Sequence, residues 1–236
     1  MKTIQSRMPM FFLMGLVLLL LSACQENTAE EMHSHLEEAV ETEEVFEQQQ
    51  QPLLEAEQRE QEIYEEIIDL GLDEMDEIEA LAEEALELVD ERQERLETER
   101  ESLHASYEEY EKAIELKDDL EDEEAYAEAE TMEEAMEARV AAYEEMYGHY
   151  EEALELDSEL YEMFQNEDLT IETLSDHIEE INEVYRSIID AKDDFNTYTD
   201  EYNEAKNQFY ETSGLEVTQD AAETEVEEPN EEEDSE

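Results

Sequence analysis

The sequence predicts an all-α protein, an elongated antiparallel bundle of long coiled-coil-like helices. Between Leu53 and Glu228 there is no proline, and the glycines of that stretch are Gly71, Gly148 and Gly214. The stretch is dominated by Glu, Ala, Leu, Gln and Met, all good helix formers. Its apolar residues recur at spacings of three and four instead of alternating, which is the period of a helix face and not of a strand.

The first 23 residues read as an address. Lys2 and Arg7 make a basic start, an apolar run follows from Met10 to Leu21, and Ser22 and Ala23 are small. The run is about a dozen residues, short of the roughly 20 that a spanning helix needs. Leu21-Ser22-Ala23-Cys24 has the form of a lipobox, which offers the Cys24 thiol for diacylglyceryl transfer. Cys24 is the only cysteine, so no internal disulfide can form. Residues 1–23 are therefore expected to be a cleaved signal peptide and residues 24–29 a lipid anchor and spacer. With an added N-acyl chain such as palmitate, the anchoring is firm. The body is expected outside the cytoplasmic membrane, tethered through Cys24.

Each element of the body follows from its pattern. From about Glu30 to Leu70, residues Leu36, Ala39, Phe46, Leu53, Tyr64 and Ile67 share a face. Pro52 removes an amide donor there and kinks this helix or splits it in two. Gly71 then supplies a left-handed stop, with Asp73 and Asp76 as a capping pair for the next helix. From about Asp73 to Lys117 the apolar face drifts toward an eleven-residue repeat, and Arg92 and Glu99 fall near the seam. A turn is expected near Asp118 to Asp122. From about Glu123 to Phe164, one seam holds Ala129, Met136, Tyr143, Tyr150 and Phe164, and the other Tyr126, Val140, Tyr147, Leu154 and Tyr161. Glu133 and Asp157 interrupt them. So many tyrosines suggest a loosely packed, partly hydrated interface.

The last segment, about Thr170 to Thr212, is the most regular. Steps of seven from Leu174 give Ile181, Ile188, Phe195, Tyr202 and Phe209, with Thr170 as the cap. The bundle domain is thus residues 30–214, a rod about 65 Å long at 1.5 Å per residue. Residues 215–236 carry almost no apolar side chain and are expected to be a disordered acidic tail.

Charge narrows the function. The 236 residues hold 78 Asp and Glu against 12 Lys and Arg, a net charge of −66, and loss of Lys2 and Arg7 with the signal makes it −68. Such a surface repels nucleic acid and wall polyanions at low salt, so a nucleic-acid partner is excluded. The same excess suits a saline setting, where screening is short.

Catalysis finds no candidate residues: no nucleophile elbow, no phosphate loop and no cysteine left free. A non-enzyme without a cofactor is expected. Glu101-x-x-His104 has the spacing of a di-iron pair, but the second pair is missing from the body, so no metal centre is assigned. His33-x-His35 reads as polar linker. Aromatic faces suit sugar rings, and Tyr143, Tyr147 and Tyr150 with Tyr161 form a candidate ligand strip. The same spacing also makes them core.

Gln50-Gln51-Pro52-Leu53, Glu60-Gln61-x-x-Tyr64-x-x-Ile67-Ile68-x-Leu70-Gly71, Asp90-Glu91-Arg92, Leu160-Tyr161, Phe195-Asn196-x-Tyr198-Thr199-x-x-Tyr202-Asn203 and Phe209-Tyr210-x-x-x-Gly214-Leu215 appear in this order. Across roughly residues 30 to 216 the chain resembles the YkyA-like cell-wall-binding lipoproteins of Gram-positive bacteria. The resemblance implies a mostly helical surface lipoprotein with wall binding, no defined ligand and no catalytic residues. The family pattern interleaves lysine with glutamate, and here most of those lysines are absent, so contact with anionic wall polymers would need bridging cations or screening salt. The expected role is a lipid-anchored wall-binding module or spacer that contacts peptidoglycan. The rival is a helix-mediated scaffold for a wall-associated protein, with no glycan binding. The pattern leaves the oligomeric state open.

Overall fold

The computed structural model describes residues 11–70, 74–166 and 168–215, with side chains from residue 28 onward. Among the described residues, four long helices run Phe11–Asp69 (α1), Met75–Ile114 (α2), Glu123–Phe164 (α3) and Ile171–Ser213 (α4), with a 3-10 turn at Lys117–Asp119 between α2 and α3. There is no strand among the described residues, so the fold is an all-α bundle.

Local chemistry sets the boundaries. At the start of α3, the Asp122 carboxylate accepts from the amides of Glu124 at 2.8 Å and Ala125 at 3.2 Å, satisfying two orphan donors. Thr170 does the same for α4, accepting from the Thr173 amide at 3.2 Å. Gly214 closes α4 in the left-handed region, φ 72°, where a side chain would be strained. α2 begins differently from expectation: its N-cap is Glu74, with no side-chain capping bond. Gly71 and Asp73 lie outside the described residues, as does the tail from Glu216.

Pro52 does not split α1, which runs through it without a break. A mid-helix proline costs about 3 kcal/mol locally, but packing on both sides outweighs it: Phe46, Leu53 and Ala56 are all buried in the interhelical core. Ser102 of α2 adds a clamp. Its hydroxyl accepts from the Phe46 amide at 3.1 Å and donates to the Thr42 carbonyl at 2.9 Å, bridging the two groups that a regular helix joins directly.

α1 packs mainly on α2 and α3 mainly on α4, giving two helical hairpins; α2 and α3 share a smaller seam, and α1 and α4 barely touch along their backbones. Two apolar clusters fill the rod. One lies at the end where α1 enters, with Met32, Leu36, Tyr110, Met132, Met136 and Phe209, and begins at Ala29, the last residue of the expected spacer. The other fills the distal portion, with Phe46, Ile63, Ile78, Leu96, Tyr143, Leu160 and Phe195. The histidines expected in a linker belong to the bundle: the His33 ring packs 4.6 Å from Tyr210, and His35 Nδ1 lies 2.6 Å from Glu109 Oε1.

Candidate functional site

The residues that break the apolar seams are the ones that join the helices. Arg92 of α2, 1% exposed, donates to Glu60 at 2.7 Å and Glu57 at 3.3 Å on α1, to Asp157 at 3.0 Å on α3, and to the Tyr185 hydroxyl at 3.0 Å on α4. Tyr185 in turn donates to Asp157 at 2.7 Å. One guanidinium in this layer thus faces three carboxylates, of which Glu60 and Asp157 are buried. Burial pushes the Glu60 carboxyl up to about 7, with Arg92 opposing and Asp157 reinforcing the rise.

A second layer lies closer to the end where α1 enters. Arg139 of α3 grips both oxygens of Glu43 on α1 and donates through Nε to Thr199 of α4 at 2.9 Å, with its guanidinium 5.0 Å from the Phe195 ring. Ser106 of α2 donates to the same Glu43 at 3.1 Å, so this layer also touches all four helices. Between the layers sits Glu99, 2% exposed, which receives a hydrogen bond from Gln50 at 2.7 Å. Burial pushes its carboxyl up to about 8, opposed by the Tyr143 hydroxyl. The other interrupting acid, Glu133, is an ion-pair partner of Lys117.

The four tyrosines of the candidate strip are interhelical packing residues. Tyr143 is fully buried, its ring centroid 5.7 Å from Phe46 and 5.6 Å from Phe195. Tyr161 is buried and donates to the Glu60 carbonyl at 3.2 Å. Tyr150 is half-buried, and burial with the nearby Glu57 raises its hydroxyl above the usual phenol range. Tyr147 is buried, 7% exposed, beneath the Arg100 guanidinium, which lies 4.5 Å from its ring centroid. A ligand lying along all four rings would require the bundle to open.

Tyr147 instead belongs to a shallow groove between α2 and α3, about 620 Å³, lined by Glu97, Arg100, Glu101, His104, Ala105, Glu108 and Tyr147. Arg100 binds Glu144 through two parallel hydrogen bonds of 2.9 and 2.6 Å, and His104 Nε2 lies 2.8 Å from the same carboxylate. Arg100 first, then His104, hold the Glu144 carboxyl below its ordinary range. Here one guanidinium, lying over a buried aromatic ring, and one imidazole meet at the surface. Glu101 and His104 therefore share a groove, and among the described residues no three His, Cys, Asp or Glu side chains are placed to hold a metal ion together. No described helix is long and apolar enough to cross a membrane. Cys24 lies in α1, among the residues without described side chains.

Sequence reasoning flagged Tyr147 and His104 separately but missed Arg100 and Glu144, because their pairing joins positions 44 apart on two helices. Arg139 was missed as well, although a lone arginine next to an apolar seam is a readable sign of a buried ion pair.

A model of the family described as "Putative cell-wall binding lipoprotein" matches residues 27–212. The chain is also 32% identical over 200 residues to the "Uncharacterized lipoprotein YkyA" of Bacillus subtilis (strain 168), covering 84% of this chain and 90% of that protein. No solved structure matches. This chain belongs to the YkyA family of lipoproteins.

Proposed function

We infer that this protein is held by acyl chains on Cys24 at the outer face of the cytoplasmic membrane, and that its helical rod is a non-catalytic module that contacts the cell wall. The observation that carries this reading over a helix-exchanging scaffold is the closure of α2. Arg92 and Glu99, the polar residues of its seam, are 1% and 2% exposed, so the least apolar helix is satisfied within the bundle. Family membership supplies the wall. The short distance from Cys24 to Ala29, the first buried side chain among those described, sets the body close to the membrane: five residues reach at most about 18 Å when extended.

With a net charge of −66 over the whole sequence, the protein repels polyanions, so its wall ligand is a neutral glycan or an anionic polymer bridged by divalent cations. The groove of Arg100, His104 and Tyr147 is our assigned contact, since a guanidinium and an imidazole, 40% and 45% exposed, face solvent there. The test is retention of the full chain on washed wall sacculi, with and without their anionic polymers, across a salt series that includes magnesium. The expected result is retention that survives polymer removal and falls in an Arg100→Gln variant. Loss of retention at every salt would overturn the wall-binding role.

A further inference from the structure

The α1–α4 seam changes character along the rod. Toward the end where α1 enters it is polar and closed: the Tyr210 hydroxyl donates to Glu37 at 3.0 Å, and the His33 ring packs on Tyr210. Continuing the same heptad lines distally, α4 presents Tyr185, Ile178 and Ile171 with Ile189 beside them, and α1 presents Leu54, Gln61 and Ile68 with Tyr64. Here the seam is apolar and open. Ile171 is 87% exposed, Ile189 57% and Ile68 48%, while Leu174, Ile178 and Ile181 are only half-buried. A set of large aliphatic side chains left in water along two neighbouring helices is an interaction face and not ordinary surface scatter.

We propose that this distal α1–α4 groove docks one amphipathic helix of a partner protein, carrying an apolar stripe flanked by lysine or arginine. The stripe matches the floor of the groove, and the flanks match its banks. Glu65 and Asp69 on α1 and Glu172 and Glu179 on α4 are all exposed beside the apolar line; Arg186 follows Glu172 and Glu179 on the same heptad line, so the acidic bank of α4 covers about its first two turns and a half and ends at that cation. From Ile171 to Ile189 the groove is about 27 Å long at 1.5 Å per residue, the length of a helix of five turns. Charge complementarity selects the occupant. A second copy would bring like carboxylates against these banks, and the C-terminal segment beyond Leu215 offers only Val217 and Val226 as branched aliphatic residues among many acids. Apolar anchors at i, i+3, i+4 and i+7 are the usual way a groove of this kind reads a helix.

The chain contains no tryptophan, so a tryptophan in the probe reports binding without background. The probe is a synthetic helical peptide of about five turns with a leucine–isoleucine stripe, one stripe tryptophan and lysine flanks. A second peptide keeps the stripe and replaces the lysines with glutamates. The protein is the full chain in neutral lipid discs. Saturable binding with a blue-shifted tryptophan is expected for the lysine peptide alone. Ile68→Ser with Ile189→Ser, surface changes on opposite banks that leave the circular dichroism melt intact, should weaken it about tenfold, equivalent to 1.4 kcal/mol. Equal binding by the double variant, equal binding of the glutamate peptide, or a lysine-peptide signal without a blue shift would overturn the proposal. So would a dimer in sedimentation that disappears in the double variant, which would assign the groove to a second copy. None of these outcomes bears on wall retention, so this proposal and the wall-binding reading fail separately.

Discussion

The two ends of the bundle satisfy the same helices by different means. At the end where α1 enters, the α1–α4 gap is spanned by polar reach, with Tyr210 on Glu37, and α4 buries Lys206 beside it, the ammonium 5.5 Å from the Tyr202 ring of the same helix. In the distal half, ionic reach is concentrated on Arg92, and the flanking Ile171, Ile189 and Ile68 stay in water. Large polar side chains can close a wide gap where helices do not touch; aliphatic ones are too short to do so and remain available. The contrast teaches that in a chain this acidic, closure depends on a few buried cations, and surface lacking such a cation stays open.

Breaking the distal ionic layer should have the largest effect. Arg92→Met strands Glu60 and Asp157 in the core, and loss of one partner of a buried pair costs about 3–5 kcal/mol. Urea unfolding should show that loss at pH 8 and a smaller one near pH 5, where the stranded carboxyls take up protons. Equal losses at both values would show that Arg92 contributes packing and not charge.

The buried acids set the next effect. Glu60 and Glu99 have folded values raised to about 7 and about 8 from 4.5. Between roughly pH 4.5 and 8 the folded state therefore binds more protons than the unfolded one, and stability falls as pH rises through that window. The melting temperature should climb on acidification from pH 8 to 5. Glu99→Gln, which keeps an acceptor for Gln50 without the charge, should stabilise the fold at pH 8 by on the order of 2 kcal/mol, less than the full linkage value because the site relaxes around the charge. It should also flatten the pH profile. A variant less stable than the parent at pH 8 would show that the Glu99 charge is compensated in the folded state.

Smaller changes sharpen the comparison of the two ends. Tyr210→Phe removes the hydroxyl that closes the polar seam on Glu37 and should cost about 1 kcal/mol, with faster amide exchange in the last turns of α4 and none of it in the distal half. Thr170→Ala removes the α4 cap at the opposite end, also for about 1 kcal/mol, and should loosen only the first turn of α4. Exchange spreading along the whole rod in either variant would show that the two ends are one cooperative unit.

Much of this architecture was legible. Heptad steps from Leu174 located α4, and Ile188, Phe195, Tyr202 and Phe209 are buried as the period requires. Thr170 and Gly214 carry their capping chemistry in their own side-chain type. What stayed hidden depends on contacts distant in sequence. Asp157 reads as an interruption of a seam, and only its meeting with Arg92, 65 positions away, makes it a core residue. Pro52 reads as a break because local rules see the lost amide and not the α2 face that holds both flanks. The candidate strip was read from ring spacing alone, which places tyrosines on a face without telling whether that face meets water or another helix. In the structure it meets the other helices, and only Tyr147 also meets the groove.

All of the functional reading depends on how the body is held, so the most direct measurement is the intact mass and N-terminal peptide of the protein recovered from the membrane fraction of its native host. The expected result is a chain that starts at Cys24, with a diacylglyceryl thioether on its sulfur, and that leaves the membrane fraction when Cys24 is replaced by alanine. A chain that starts elsewhere, or one that carries a free Cys24 thiol and still sediments with the membrane, would contradict it.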